Sequence, residues 1–157
     1  MCHYCGCREI PLIKDFIREH EAATDLTGEI ARLLAAGDLA AAGALLPPLV
    51  AELAAHWRGE EDGLFRVMRG DPEFGAYIDA LEAEHRGLAE LLAATDLASP
   101  TDRAALLTAF RELHEHIAKE EDGLFPASLI ALTAADWNAS MAAWQKAHPD
   151  RRPAGAG

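Results

Sequence analysis

The chain has 157 residues, half of them hydrophobic and a quarter charged, which is typical of one globular domain and excludes a disordered or fibrous chain. It carries 14 lysines and arginines against 26 aspartates and glutamates, so its net charge is −12 and binding to nucleic acid or to an anionic membrane surface is disfavoured. No apolar run approaches the roughly 18–20 residues needed to span a bilayer, and the N-terminus lacks a signal peptide's apolar stretch. We therefore expect a soluble cytoplasmic protein.

The N-terminal segment, residues 1–10, contains all three cysteines of the chain: Cys2, Cys5 and Cys7. Because no later cysteine can pair with them, disulfides do not staple the fold. The three thiolates with the imidazole of His3 could hold a zinc ion, although such close neighbours would hardly all reach one ion. A redox or cluster-handling role and a disordered thiol-rich tail are the alternatives.

The spacing of apolar residues is helical through nearly the whole chain, and strand signals are scarce. The first helix is predicted over residues 11–36. A helical piece that opens at Asp38 should be interrupted or restarted at Pro47 and Pro48, since proline lacks the amide hydrogen that a helix interior needs. From there a second helix should continue to about Arg69.

Two pairs of an N-cap residue and a proline begin the next helices. Asp71-Pro72 opens a third helix to about residue 94, and Ser99-Pro100 opens a fourth to about residue 125.

The remaining chain is predicted to form a short fifth helix within residues 133–147, begun by a Thr133/Asp136 capping box, and a flexible tail over residues 148–157. Four long helices with short connections favour an all-α fold. We predict an antiparallel up-down four-helix bundle over residues 11–132, with the fifth helix at its C-terminal end.

An internal repeat at an offset of 60 residues is the most informative feature of the sequence. The segments ELAAHWRGEEDGLF at 52–65 and ELHEHIAKEEDGLF at 112–125 are identical at nine of fourteen positions. Each contains His-x-x-x-Glu, which places His56 and Glu60, or His116 and Glu120, on one helix face about 6 Å apart. These faces are otherwise apolar and should point inward, where an uncompensated carboxylate costs several kcal/mol.

The two other long helices each offer one histidine, His20 and His85, on the equivalent apolar face. Four inward imidazoles and two inward carboxylates can hold a pair of metal ions between facing helices, with two histidines on each ion and two bridging glutamates. About two positions on each ion would stay open for oxo, hydroxo or exogenous ligands. Imidazole combined with carboxylate suits iron better than calcium or magnesium.

The order and spacing of these residues, over roughly residues 11–130, resemble the hemerythrin-like proteins of the His-His-Glu cation-binding type. The matching positions are His20, His56, Glu60, His85, His116 and Glu120. The resemblance implies a four-helix bundle with a non-haem di-iron centre that binds dioxygen or related small molecules. It also implies that the four histidines are terminal ligands and the two glutamates bridges.

The chain departs from the oxygen-carrying hemerythrins at two positions. The carriers have a second histidine four residues after the third-helix ligand, where this chain has Ala89. They also have their fourth-helix carboxylate one residue later, at the position of Glu121 instead of Glu120. The first departure weakens the interpretation as a reversible oxygen carrier and favours hemerythrin-like domains that sense iron or oxygen or react with peroxide or nitric oxide.

Three functions therefore stay open, and with them the question of whether the chain is an enzyme. The first is a di-iron protein that senses or scavenges dioxygen, peroxide or nitric oxide. The second is an oxidoreductase, namely a peroxidase, nitric oxide reductase or iron–sulfur repair enzyme, that uses an electron donor and the N-terminal cysteines. The third is an interaction module in which a metal-free or zinc-loaded bundle docks a partner.

The remaining polar candidates are assigned to the surface. Glu61 and Glu121 follow the bridging glutamates, about 100° further round the helix, and are interpreted as solvated charges. Glu52 and Glu112 could accept the second ring N–H of a histidine ligand, but a surface position is favoured. The other two histidines, His114 and His148, are interpreted as a surface residue and an inert tail residue.

The aromatic residues that we interpret as packing residues are Trp57, Phe65, Phe110, Phe125, Trp137 and Trp144.

Overall fold

The computed structural model describes residues 6–154, and within them every regular element is a helix. A short 3-10 turn at Cys7–Glu9 precedes five helices. These are α1 (Pro11–Ala36), α2 (Leu39–Gly59, continued by Glu60–Phe65 and Arg66–Met68), α3 (Pro72–Ala94), α4 (Pro100–Lys119, continued by Glu120–Leu124 and Phe125–Ala131) and α5 (Ala134–Ala147). The predicted all-α class is confirmed. Cys2 and Cys5 lie outside the described residues, so a zinc or redox role for them stays a prediction.

The helices begin where the sequence supplies capping groups. The carboxylate of Asp71 and the hydroxyl of Ser99 accept hydrogen bonds from first-turn amides at 2.9 and 3.2 Å, and a proline follows each of them. Thr133 and Asp136 form the predicted reciprocal capping box at the start of α5. Such caps satisfy amide groups that have no partner inside the helix.

The predicted interruption of the second helix is wrong, because α2 runs without a break through Pro47 and Pro48. The two prolines cannot donate to the carbonyl groups one turn earlier, so two hydrogen bonds of the helix are missing. Buried apolar residues, Ala42 and Leu49, anchor α2 in the core on both sides of the prolines. Packing here overrides local propensity.

Two clusters of buried apolar side chains form the core. The first contains Leu12, Ile13, Phe16, Ile17, Leu64, Phe65, Met68, Ile78, Leu81, Leu124, Phe125 and Trp144. The second contains Ala23, Ile30, Ala42, Leu49, Leu53, Trp57, Leu92, Leu106, Phe110 and Leu113. In α1 and α3 the N-terminal half contributes to the first cluster and the C-terminal half to the second. In α2 and α4 this order is reversed. In each long helix, buried histidine or glutamate residues lie where the chain changes cluster.

Helix α5 packs closely on the end of α2. A Cβ atom at Gly63 would lie only 3.1 Å from the carbonyl oxygen of Ser140, so a glycine permits this approach. Residues that follow α5 also contact the helices: Arg151 donates to Glu52 at 3.0 Å, and the amide of Ala154 donates to a carboxylate of α1 at 3.0 Å. The flexible tail over residues 148–157 stays a prediction.

One helix of the described chain, Leu39–Met68, is long and apolar enough to cross a membrane by length and composition alone. This contradicts the expectation that no stretch meets that test. In the 18-residue window of highest mean hydropathy, 22% of the residues are buried. A single such helix is weak evidence of a membrane span, since a core helix of a soluble protein passes the same test.

Candidate metal centre

Both copies of the repeated sequence form a π-helical turn, at Glu60–Phe65 and at Glu120–Leu124. π-Turns within α-helices are rare and occur often at functional sites. Because the chain here makes wider turns than an α-helix, the 100° spacing assumed for consecutive residues does not hold. The turns begin at the two glutamates that the sequence singles out.

The six sequence-predicted ligand residues converge between the two apolar clusters. All are buried: the glutamates are 0% exposed and the histidines 3%. One group consists of His20, His56, Glu60 and Glu120, with one ligand atom from each lying within 4.8 Å of the others. A second group consists of His85, His116 and Glu120. The two groups share Glu120, so the structure brings all six residues to one place.

The histidines face one another in two pairs. Nε2 of His20 lies 3.1 Å from Nε2 of His56, and Nε2 of His85 lies 2.9 Å from Nε2 of His116. Two nitrogens bound at right angles to one ion, each about 2.1 Å from it, would lie about 3 Å apart. Each pair therefore has the spacing of two ligands of one metal ion.

The other ring nitrogen of each histidine contacts a glutamate carboxylate. The Nδ1 contacts are His20 with Glu121 at 3.0 Å, His56 with Glu19 at 2.9 Å, His85 with Glu61 at 2.8 Å and His116 with Glu84 at 2.8 Å. Because an ionised carboxylate only accepts hydrogen bonds, each Nδ1 carries a hydrogen, so in the neutral ring Nε2 is the nitrogen with a lone pair for a metal. Hydrogen bonds of this kind fix the ring orientation of metal-binding histidines.

These contacts correct the assignment of Glu61 and Glu121 to the solvent. Glu61 and Glu121 are not purely solvated charges, because each accepts a hydrogen bond from a histidine on another helix. Glu52 does not contact His56; it pairs with Arg151. The glutamates that sequence reasoning missed are Glu19 and Glu84, which directly precede two of the histidines and contact the other two. The repeated Glu-His dipeptide was a signal that could have found them.

The two central carboxylates have no hydrogen-bond partner in the described part of the chain, although all four of their oxygens are buried. Burial, followed by the neighbouring charge of Glu120, raises the pKa of Glu60 well above its ordinary value. Burial acts in the same direction on Glu120, but His116 and His20 outweigh it and hold the pKa of Glu120 well below its ordinary range. Buried oxygens without partners, next to facing nitrogen lone pairs, are what a bound cation would satisfy.

Aromatic rings cover the histidine pairs. Phe125 stacks on His20 with ring centroids 5.8 Å apart, Phe65 stacks on His85 at 5.7 Å, and Trp57 stacks on His85 at 4.9 Å. These rings pack as predicted and give the histidines an apolar surround. The residues present thus fit a metal site of imidazole and carboxylate ligands, the combination that suits iron and other transition metals.

A comparison with known protein families gives the same answer. The family model for the hemerythrin HHE cation-binding domain matches residues 12–128. The chain belongs to this family. The resemblance noted in the sequence is thereby confirmed, and metal binding, typically of iron, is the property that the family supports. No curated protein and no solved structure matches the chain significantly.

In this hemerythrin HHE domain the C-terminal segment reaches the centre from beyond the matched residues. Glu19 accepts hydrogen bonds from Nε1 of Trp144 at 2.8 Å and from Nδ1 of His56, and its Oε1 lies 3.0 Å from Nε2 of His148. Burial alone raises the pKa of Glu19, but the contacts with His148 and His56 outweigh it and lower that pKa to about 2. His148 is thus a buried partner of Glu19 and not the inert tail residue that the sequence suggested.

Replacing His148 should reduce stability in a pH-dependent way. Burial alone would lower the pKa of His148, but its pairing with Glu19 raises that pKa above the ordinary value of 6.5. A raised pKa stabilises the fold fully below pH 6.5, and this contribution is lost as the pH rises through the raised value. In the metal-free protein, His148→Phe should therefore lower the free energy of unfolding by about 1.5–3 kcal/mol in weak acid and by less in weak base. Urea denaturation at several pH values measures this; a difference that grows with pH would contradict it.

Proposed function

We propose that this hemerythrin HHE domain is a cytoplasmic non-haem di-iron protein that senses or scavenges a small molecule, namely dioxygen, peroxide or nitric oxide, at an open iron position. The observation that carries the proposal is the pair of buried carboxylates without hydrogen-bond partners between two pairs of facing histidine nitrogens. An interior of this kind is costly without metal and suited to two cations.

The fold that we propose for the site is an antiparallel up-down four-helix bundle. Support comes from the two apolar clusters. Successive long helices contribute to them in opposite order from N-terminus to C-terminus. Successive helices that run in opposite directions would produce this alternation. The arrangement places one histidine of each long helix in the same layer.

The distances support a centre in which each histidine pair would hold one ion and both glutamates would serve the two ions. Glu120 spans the two pairs, since its Oε2 lies 3.1 Å from Nε2 of His20 and its Oε1 lies 3.0 Å from Nε2 of His116. Glu60 also reaches both pairs, because its Oε2 lies 3.3 Å from Nε2 of His56 and 3.7 Å from Nε2 of His85. Each carboxylate would therefore be within reach of both ions.

The protein's own groups prepare the centre for small-molecule binding. Two ferrous ions, when bound, supply electrons and open coordination positions. The four outer glutamates hold the Nδ1 hydrogens and keep every Nε2 available, while the stacked aromatic rings limit access of water. A cavity of about 350 Å³, lined by Trp57, Leu88, Leu91, His85 and His116 among others, gives a small molecule room beside one histidine pair.

An oxidoreductase is the second candidate, and one contact favours it. Arg8, which follows Cys7 in the N-terminal segment, donates to Glu121 at 2.7 Å, and Glu121 accepts from His20. The cysteine segment is thus connected to the centre through two side chains. Turnover of peroxide or nitric oxide with an electron donor, lost in Cys7→Ser, would distinguish an enzyme from a binding protein.

The proposal is tested by metal analysis and spectroscopy of protein purified without chelators. We expect about two irons per chain, and we expect the absorption spectrum of the reduced protein to change on addition of dioxygen, peroxide or nitric oxide. His114→Gln is the matched control, because this histidine is exposed and should leave iron content and spectra unchanged. Fewer than one iron per chain would contradict the proposal and favour a metal-stabilised interaction module.

A further inference from the structure

The two halves of the centre differ in how deeply their outer glutamates are buried. Around His20 and His56, the side chains of Glu121 and Glu19 are 16% and 2% exposed. Around His85 and His116, the side chains of Glu61 and Glu84 are each 39% exposed. Hydrogen bonds to buried carboxylates are shielded from water and salt, so the first histidine pair is held more firmly than the second.

The residues that hold the buried glutamates come from both ends of the chain. Arg8 binds Glu121 at 2.7 Å from the N-terminal side, and Trp144 and His148 bind Glu19 at 2.8 and 3.0 Å from the C-terminal side. All three lie outside residues 12–128, which match the family. In the other half, Glu84 is bound by Lys119, whose side chain is 44% exposed.

The position of Glu60 and the surroundings of the two pairs differ in the same direction. Oε2 of Glu60 lies 3.3 Å from Nε2 of His56 and 3.7 Å from Nε2 of His85, so Glu60 is closer to the first pair. The cavity of about 350 Å³ is lined by His85 and His116 and not by His20 or His56. The cavity therefore adjoins the histidine pair that lies farther from Glu60.

We propose that the two metal positions are unequal. The ion at His20 and His56 is firmly held, the ion at His85 and His116 is the labile one, and Arg8 and His148 are positioning residues that create the difference. This rests on the proposed function, since it needs two ions in the centre. The segments outside the matched domain thus set which metal position is exchangeable.

Iron release to an excess of a ferrous chelator, followed without oxygen, tests the proposal. The di-iron protein should release one iron quickly and the other slowly, in equal amounts. His85→Ala should abolish the fast phase and His20→Ala the slow phase, which assigns each phase to its position.

Variants of the positioning residues complete the test. His148→Phe keeps a ring to stack on Trp144 but removes the imidazole nitrogen that lies 3.0 Å from Glu19. It should speed the slow phase by about 10- to 100-fold and leave the fast phase unchanged. Arg8→Met and Trp144→Phe should act in the same direction. Lys119→Met should speed only the fast phase, and His114→Phe should change neither. Circular dichroism checks that each variant keeps its helix content.

The outcomes separate this proposal from the one it rests on. Fewer than one iron per chain before chelation would overturn the proposed function and this inference with it. Two irons released at a single rate, or a fast phase that responds to His148→Phe while the slow phase does not, would overturn the inference alone.

Discussion

Loading the metal-free protein with ferrous iron is expected to raise its Tm by about 8–16 °C for each ion present at 1,000 times its Kd. An ion that binds only the folded state contributes about 4.1 kcal/mol at that concentration, and each kcal/mol is worth about 2–4 °C in a domain of this size. The physical reason is that iron provides ligand bonds to buried oxygens of Glu60 and Glu120 that have no hydrogen-bond partner in the described part of the chain.

Differential scanning calorimetry without oxygen, before and after iron loading, measures this shift. His114→Gln replaces an exposed histidine outside the centre, so this variant should show the same rise in Tm as the parent protein. His20→Ala removes a donor of the first group and should show a smaller one. Equal Tm values with and without iron in the parent protein would count against a metal site.

Glu60→Met is expected to change stability in opposite directions in the two states of the protein. In the metal-free protein it removes a buried carboxyl group without a hydrogen-bond partner and adds apolar surface, so the free energy of unfolding should rise by about 1–4 kcal/mol. In the iron-loaded protein it removes a bridge between two ions, so the stabilisation by iron should be largely lost. Unfolding by urea with and without iron measures both effects.

Glu120→Met is the matched variant from the other copy of the repeat. Glu120 lies 3.1 Å from His20 and 3.0 Å from His116, and these contacts stabilise its ionised form. Removing it should therefore destabilise even the metal-free protein, by about 3–5 kcal/mol. If Glu60→Met destabilised the metal-free protein as much as Glu120→Met does, Glu60 would have to be stabilised there by partners other than a metal.

Much of this protein could be predicted from the sequence because its signals are local. The caps at Asp71, Ser99 and Thr133 act within a single turn, so the starts of three helices follow from neighbouring residues. The six central residues could also be predicted from the sequence. A His-x-x-x-Glu pattern occurs on two apolar helix faces, and each remaining long helix has one histidine on its apolar face, so few other arrangements are open.

The features that were missed depend on contacts between distant parts of the chain or on non-standard helix geometry. Glu61 and Glu121 were assigned to solvent on the 100° spacing of an α-helix, which fails where the repeat forms π-turns. His148 could be placed beside Glu19 only once the packing of α5 was known. The unbroken helix through Pro47 and Pro48 likewise depends on packing on both sides of the prolines.

The most direct test of the central claim is a crystal structure of the iron-loaded protein with anomalous scattering recorded at the iron absorption edge. We predict two anomalous peaks about 3.5–4 Å apart. One should lie between His20 and His56 and the other between His85 and His116, with Glu60 and Glu120 reaching both. Iron-loaded crystals with no anomalous peak among these six side chains, or with iron only elsewhere, would contradict the claim.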